Sequence, residues 1–216
     1  MFRNSCRDTI MFPVVLNLTG RTVLVVGAGE VGRRRTMRLL EVGASVRLVD
    51  PQPWTDPSDH PQIDRIVAPY SRSHLTSVSL AFACASNEVN ATVVADAQEA
   101  GIWVGDADEP SRGDLIIPSV LRRGGLTLSV STGGASPTLA KRIVHDLAEQ
   151  FDSTYAGWVR LLGEMRKTAM NDISDPIVRR KILAKFTESH WLLRIQSVGA
   201  EQTLIEMKAR MASELK

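Results

Sequence analysis

The stretch Thr22-Val-Leu-Val-Val-Gly-Ala-Gly-Glu-Val-Gly32, followed by Val46-Arg-Leu-Val-Asp50, decides the fold. A short β-branched run ends in the pattern G-x-G-x-x-G, formed by Gly27, Gly29 and Gly32, and the apolar positions after it recur at helical spacing. In dinucleotide-binding domains the first glycine permits a tight turn, the second lets the pyrophosphate approach the backbone, and the third lets the helix pack on the strand. The stretch therefore predicts a strand, a tight turn and a helix that bind a dinucleotide.

Asp50 supports this interpretation, because it ends the next predicted strand, residues 46–49, where an acidic side chain binds the ribose hydroxyls of the cofactor. A carboxylate at that place would repel the 2′-phosphate of NADP, so we expect the cofactor to be NAD. Glu30 and Val31 lie within the fingerprint, and Ser86 and Asn87 follow the predicted strand at 80–85, so these four are also expected to bind the cofactor. The predicted cofactor-binding residues are Gly27, Gly29, Glu30, Val31, Gly32, Asp50, Ser86 and Asn87.

Three arginines, 33–35, stand in the first turn of the predicted helix, where positive charge opposes the helix dipole. Two interpretations are open: a solvated basic face, or contact of some of the arginines with phosphate or with an anionic substrate.

Strand and helix patterns alternate through the first half of the chain. Strands are predicted at 65–67, 80–85 and 102–104 and a helix at 89–100, which indicates a parallel sheet covered on both sides. A β-hairpin is predicted from 115–121 and 126–131, then a helix from Pro137 with Ser136 as its N-cap. The remainder, to Lys216, is amphipathic and helical in pattern. We predict the α/β class, with a Rossmann-type parallel sheet, a small α+β region and a helical C-terminal domain.

Composition excludes some classes of protein. The 26 Lys and Arg residues nearly balance the 24 Asp and Glu residues, and only 5% of the residues are aromatic, which disfavours nucleic-acid binding. Cys6 and Cys84 form neither a disulfide framework nor a paired metal-ligand spacing. With no signal-peptide pattern and no long apolar run, we expect a cytoplasmic protein that does not enter a membrane. Residues 1–11 are interpreted as an N-terminal extension.

Several segments resemble the dehydrogenase and ferrochelatase module of siroheme synthase, over residues 12 to about 150. They are Phe12-Pro-Val-Val-Leu-Asn-Leu18, the Arg34-Arg35 pair, Asp108-Glu-Pro110 and Ser131-Thr-Gly-Gly-Ala-Ser-Pro137. The resemblance implies NAD-dependent oxidation of precorrin-2, an anionic tetrapyrrole, to sirohydrochlorin in siroheme biosynthesis. It also implies a homodimer. The domains expected are a NAD-binding domain at 12–111, a dimerisation region at 112–150 and a helical domain at 151–216.

The resemblance makes Asp108 the catalytic candidate, because the aspartate of the family's Asp-x-Pro segment is held to be essential. A positioned carboxylate can accept or orient the proton that is lost when a hydride leaves the macrocycle. Asp106 is expected to share its strand end, charge and exposure, and the spacing to Pro110 and Pro118 favours Asp108. By the same resemblance the substrate site is lined by Ser131, Thr132 and Gly133.

Precorrin-2 carries many carboxylates, so basic residues of the 112–150 region are candidates to bind it, and the sequence does not choose among them. They are Arg112, Arg122, Arg123, Lys141 and Arg142. The chain departs from the family pattern at two positions, with Gly105 in place of the usual asparagine and Leu115 in place of phenylalanine.

Other functions remain as alternatives. No metal site is predicted, because His60, His74, His145 and His190 form no spaced ligand set, and iron insertion into sirohydrochlorin stays open. A non-catalytic NAD-sensing regulatory module would explain the glycine fingerprint equally well, but not the Asp-x-Pro segment or the Ser131–Pro137 segment. A short-chain dehydrogenase needs a Tyr-x-x-x-Lys pair, which neither Tyr70 nor Tyr155 provides.

Overall fold

The computed structural model describes residues 11–53 and 60–215, so the predicted extension lies almost wholly outside the described residues, as does part of the proline-rich loop after residue 50. The chain divides into two compact units: Met1–Ile117 with Gly133–Ala135, and Pro118–Thr132 with Ser136–Lys216. None of the helices in the described ranges is long and apolar enough to cross a membrane.

The first unit is a parallel sheet with helices. Its elements are β1 (Thr22–Val26), α1 (Glu30–Leu40), β2 (Ser45–Asp50), β3 (Ile63–Val67), β4 (Leu80–Ala83), α2 (Asn87–Glu99) and β5 (Trp103–Asp106), with single 3₁₀ turns at Arg72–Leu75 and Pro110–Arg112. The strand order is β3-β2-β1-β4-β5, and β1 pairs in parallel with both β2 and β4. This order confirms the predicted Rossmann-type sheet. Ligands of such sheets bind where the order reverses, outside the carboxyl ends of β1 and β4.

Alternation along β1 explains why helices cover both faces of the sheet. Val23 and Val25 pack in a cluster with Leu39 of α1, whereas Leu24 and Val26 pack in a second cluster with Val93 of α2. Because both faces are covered, the central strands β1 and β4 consist almost entirely of apolar residues. The two clusters hold the carboxyl ends of the strands, and the loops that follow them, in fixed positions.

The second unit begins with a β-hairpin. Its elements are β6 (Ser119–Arg123), β7 (Leu126–Val130), α3 (Pro137–Gln150), α4 (Thr154–Asp172), α5 (Pro176–Lys185) and α6 (Ser189–Glu214). The first hairpin strand starts at Ser119 rather than at residue 115, because Leu115 packs on the core of the first unit. Ser136 is the N-cap of α3, and its hydroxyl accepts a hydrogen bond from the Leu139 N–H at 3.2 Å. The capping prediction is therefore confirmed.

The helices α4, α5 and α6 enclose a separate core around Leu161, Met165, Phe186 and Met207. Two indole N–H groups satisfy carbonyls at the end of α5: Trp158 donates to Phe186 O at 3.1 Å, and Trp191 donates to Lys185 O at 3.0 Å. The last carbonyls of a helix lack partners within the helix, so these bonds fix where α5 ends. This region confirms the predicted helical C-terminal part of the chain.

Candidate functional site

Two glycines of the fingerprint are required by the fold itself. Gly27 has a φ of +101°, and a Cβ atom added there would lie 2.3 Å from the carbonyl oxygen of Cys84. A Cβ at Gly32 would lie 1.8 Å from the carbonyl oxygen of Gly27. The end of β1, the end of β4 and the first turn of α1 therefore pack backbone against backbone, which only glycine allows.

Gly29 differs from the other two glycines. Its φ is −66°, and a Cβ added there would meet no protein atom within 4 Å. The residue is the N-cap of α1 and contributes no side-chain cap, and Glu30 and Val31 after it are exposed. The first N–H groups of a helix have no partners within the helix, and together with the helix dipole they favour an anion. This open cradle fits the pyrophosphate of a dinucleotide.

Asp50 borders the glycine turn from the end of β2. Its Oδ2 accepts a hydrogen bond from the Ala28 N–H at 2.6 Å, and its Oδ1 accepts one from the Gln52 N–H at 2.8 Å. A carboxylate oxygen has two lone pairs, so each oxygen can accept a further hydrogen bond from a ribose hydroxyl. The predicted cofactor residue is therefore next to the cradle.

The loop after β4 carries the last two predicted cofactor residues. Ser86 is the N-cap of α2 and Asn87 its first residue, and both are exposed. Cys84, one step before this loop, is half-buried, and desolvation raises the pKa of its thiol to about 11 while the nearby Arg35 opposes the shift. The thiol is therefore neutral at physiological pH.

The three consecutive arginines have three different environments. The Arg33 Nε donates to the carbonyl oxygen of Ala28 at 2.7 Å, and Arg34 lies 3.6 Å from the carboxylate of the exposed Glu30. Arg35 stacks on the ring of Phe82, with 4.7 Å between the guanidinium carbon and the ring centroid, and burial lowers its pKa. The three arginines therefore do not form a uniform solvated face, because Arg33 supports the glycine turn and Arg35 packs on the sheet.

Asp106 and Asp108 differ in exposure, so the expectation that they share it is wrong. The Asp106 side chain is 0% exposed. Its Oδ2 atom lies 2.8 Å from a terminal guanidinium nitrogen of Arg112. Its Oδ1 accepts hydrogen bonds from the N–H groups of Asp108 at 2.9 Å and Glu109 at 3.0 Å. Asp108 is exposed at the end of β5. Asp106 therefore holds the loop, and Asp108 is the carboxylate available to a ligand.

Asn90 contacts Asp108 directly, although it is not among the site residues predicted from the sequence. Its side chain is fully buried in α2. The Oδ1 atom accepts a hydrogen bond from the Ala85 N–H at 2.8 Å, and the Nδ2 atom donates to Asp108 Oδ2 at 3.0 Å. An asparagine within an otherwise apolar helix face, beside Val93 and Val94, was the signal that could have identified it.

Comparisons with known proteins find relatives for both units of the chain. Residues 14–119 match a family described as NAD(P)-binding, and residues 123–144 match a family described as the central part of sirohaem biosynthesis proteins. Siroheme synthase 2 of Aeromonas hydrophila is 32% identical over 200 residues, which is 89% of this chain and 42% of that protein. The siroheme synthase of Nitrosomonas europaea is 36% identical over 148 residues, which is 66% of this chain and 31% of that protein.

A solved structure described as SirC, precorrin-2 dehydrogenase, is also similar. The TM-score is 0.74 and the sequence identity is 27%, and the matched region covers 92% of this chain and 100% of the SirC chain. The chain is thus similar to siroheme synthases and to a precorrin-2 dehydrogenase. It spans about two-fifths, 42%, of the length of the Aeromonas hydrophila siroheme synthase 2.

The two departures from the siroheme synthase pattern are structurally linked. A Cβ atom at Gly105 would lie 2.8 Å from Cδ1 of Leu115 and 3.1 Å from Cδ1 of Phe82. An asparagine at position 105 would therefore displace the side chain at position 115. Glycine at position 105 therefore allows Leu115 to pack closely against β5.

The segment Ser131–Pro137, which resembles the siroheme synthase motif, forms a turn. Gly133, Gly134 and Ala135 are assigned to the first unit, and the other residues of the segment to the second. The Thr132 Oγ1 accepts a hydrogen bond from the Ser136 N–H at 2.9 Å, and Gly133 and Gly134 have φ values of +62° and +91°. The turn is thus stabilised by its own hydroxyl and glycines. Substrate contact by Ser131, Thr132 and Gly133 stays a prediction.

The basic candidates for substrate binding separate into two groups. Arg112 is paired with Asp106, and Arg123 donates from Nε to Phe151 O at 2.9 Å and from a terminal nitrogen to Ala148 O at 3.3 Å, which caps α3. The other three candidates are exposed: Arg122, Lys141 and Arg142. Within residues 11–53 and 60–215, no three His, Cys, Asp or Glu side chains are grouped so that they could hold a metal ion.

Proposed function

We propose that this protein is a precorrin-2 dehydrogenase, which oxidises precorrin-2 to sirohydrochlorin with NAD. The observation that carries the proposal is the placement of a dinucleotide cradle and an exposed carboxylate at one edge of the sheet. Gly29 opens the cradle after β1, and Asp108 follows β5, on the other side of the strand-order reversal. The similarity to SirC along that protein's whole length supports the same activity.

The cofactor preference rests on Asp50. Its carboxylate is held beside the glycine turn by the Ala28 and Gln52 N–H groups. A ribose 2′-hydroxyl placed there donates a hydrogen bond to the carboxylate, whereas a 2′-phosphate meets like charge. We therefore expect a lower dissociation constant for NAD than for NADP, measured by calorimetry. Asp50→Ser should narrow the difference by reducing the repulsion, and tighter NADP binding by the unchanged protein would contradict the assignment.

The residues of the chain supply binding, orientation and a proton acceptor. When bound, the nicotinamide ring supplies the hydride-accepting chemistry. Asp108 is oriented by Asn90 and by the Asp106 carboxylate, which accepts from its N–H group. From the end of β5 the Asp108 carboxylate orients the macrocycle or accepts the proton lost in the oxidation.

The substrate is recognised by carboxylate-binding groups in the second unit. We assign this role to the exposed Arg122, Lys141 and Arg142 rather than to Arg112 and Arg123, which already have partners. Ser131, Thr132 and Gly133 are also proposed to contact the substrate. The site is completed in a homodimer in which residues 112–150 form the contact between subunits, and a monomer in light scattering at micromolar concentration would exclude this arrangement.

A non-catalytic NAD-sensing role is not favoured, because the matched relatives are named siroheme synthases and the matched structure is named a dehydrogenase. Anaerobic incubation with precorrin-2 and NAD tests the proposal directly. We expect NADH formation in step with the change in macrocycle absorbance. Later addition of Fe²⁺ reports whether the protein also inserts the metal. NAD binding without any NADH formation would support the sensing role instead.

A further inference from the structure

A single buried amide connects the loop that carries predicted cofactor residues with the candidate catalytic carboxylate. Asn90 accepts from the Ala85 N–H, next to Ser86 and Asn87, and donates to Asp108 Oδ2, at 2.8 Å and 3.0 Å. We propose that Asn90 is a positioning residue, which fixes the Asp108 carboxylate relative to the loop after β4. The inference rests on the proposed dehydrogenase function.

Burial makes this amide well suited to positioning. The Asn90 side chain is 0% exposed, so water does not compete for its polar atoms, and an unmade hydrogen bond there would carry the full desolvation penalty. Its two bonds therefore persist together. The amide also has distinct ends: the oxygen can only accept, and the nitrogen can only donate. The end that faces Asp108 is the donor, so it can pair with a carboxylate oxygen there.

The exposed Asp108 side chain has few other restraints that the structure shows. Its N–H donates to Asp106 at 2.9 Å, which fixes the backbone, and the hydrogen bond from Asn90 fixes the carboxylate. The two acidic residues thus receive different support. Asp106 and Arg112 hold the loop, and Asn90 sets the direction of the side chain. Catalysis by a positioned group is sensitive to displacements of about 1 Å, which can change rates by about 10²-fold.

The decisive variant is Asn90→Asp, which retains the volume and the acceptor for the Ala85 N–H but replaces the donor with a second carboxylate oxygen. Two carboxylates so close either repel each other or share one proton, and in both cases Asp108 loses the hydrogen bond that Asn90 donates to its carboxylate. We expect kcat to fall by about 10- to 100-fold, while the dissociation constant of NAD changes less than about threefold. Asn90→Ala removes both bonds without adding charge, so a fall in kcat there as well excludes an effect of buried charge alone.

Gln98→Glu is a control at an exposed position of the same helix. Gln98 lies on the same helix, and its Nε2 donates to Arg112 O and to Asp114 Oδ1, both at 3.1 Å, in the segment that follows β5. The change also places a carboxylate beside a carboxylate, but it does not touch Asp108. We expect its kcat to stay within about twofold of the unchanged protein. An equal loss in both variants would show that Asn90 only anchors the loop and would overturn the inference.

The reversed pair, Asn90→Asp with Asp108→Asn, separates positioning from support of the fold. It restores a hydrogen bond between the two side chains with the direction inverted, so the melting temperature should recover relative to Asn90→Asp. We expect kcat to remain as low as in Asp108→Asn, because the carboxylate at position 108 is gone, and recovery of kcat would contradict the catalytic role of Asp108 on which the positioning role depends. Normal kcat in Asn90→Asp would overturn this inference alone, whereas no NADH formation by the unchanged protein would overturn the proposed function with it.

Discussion

Replacing Gly29 with alanine should separate cofactor binding from folding. The added methyl group would meet no protein atom within 4 Å, and the φ of −66° suits alanine. Alanine lowers the entropy of the unfolded chain, which stabilises the folded protein by about 0.4–1 kcal/mol. Alanine is also a poorer N-cap residue than glycine, which destabilises the helix by a similar amount. The net change in the free energy of unfolding should therefore stay within about 1 kcal/mol.

The same methyl group would occupy the space that we propose for the pyrophosphate, next to the first N–H groups of α1. We expect the dissociation constant of NAD to rise at least about tenfold, equivalent to about 1.4 kcal/mol. Gly32→Ala is the contrasting variant, because its methyl group would lie 1.8 Å from the Gly27 carbonyl oxygen. Relief of that overlap should cost near the upper end of about 1–3 kcal/mol for overpacking, and should lower the melting temperature by several degrees.

Thermal unfolding by circular dichroism and calorimetric titration with NAD measure both quantities for each variant. If the two glycines have separate roles, Gly29→Ala melts like the unchanged protein and binds NAD weakly, and only Gly32→Ala loses stability. Unchanged NAD affinity in Gly29→Ala would refute the placement of the pyrophosphate. A large loss of stability in that variant would refute the separation of the two glycine roles.

Three further outcomes are expected. Asp108→Asn should lower kcat by about 10²- to 10⁴-fold, with little change in melting temperature or NAD affinity. Initial-rate assays measure kcat, and calorimetry measures the melting temperature and the affinity. Asp106→Asn should instead destabilise the fold, by about 2–3 kcal/mol in urea unfolding, because it breaks a buried pair whose partner Arg112 is partly exposed. In a Cys6→Ser background, alkylation of Cys84 should be slow at pH 8 and accelerate only toward pH 11, because burial raises its pKa to about 11 and the thiolate reacts.

Local signals in the sequence predict most of the first unit. The β-branched run Thr22–Val26, the glycines after it and Asp50 each follow from residue type and spacing, and the structure has β1, the turn, α1 and β2 in those places. Ser136 as a cap follows from the same kind of local rule. Such features depend on neighbours within a few residues, so a single sequence contains the information.

The unlike environments of Asp106 and Asp108 could not be predicted in the same way. They depend on the side chains of Arg112 and Asn90, and Asn90 reaches this loop only because α2 packs beside β5. The sequence places two aspartates near one strand end but does not indicate which of them turns inward. The beginning of β6 was missed for a related reason, since Leu115 is removed from the predicted strand by its contact with a distant core.

The strand order has a consequence for synthesis of the protein on the ribosome. β1 can pair with β2 as soon as Ser45–Asp50 has left the exit tunnel, but its other edge pairs with Leu80–Ala83, which emerges later. During that interval the nascent chain presents an unpaired apolar strand edge, which is the kind of surface that recruits a second chain. Yield during overexpression should therefore depend on translation speed and on chaperones that shield this edge until β4 arrives.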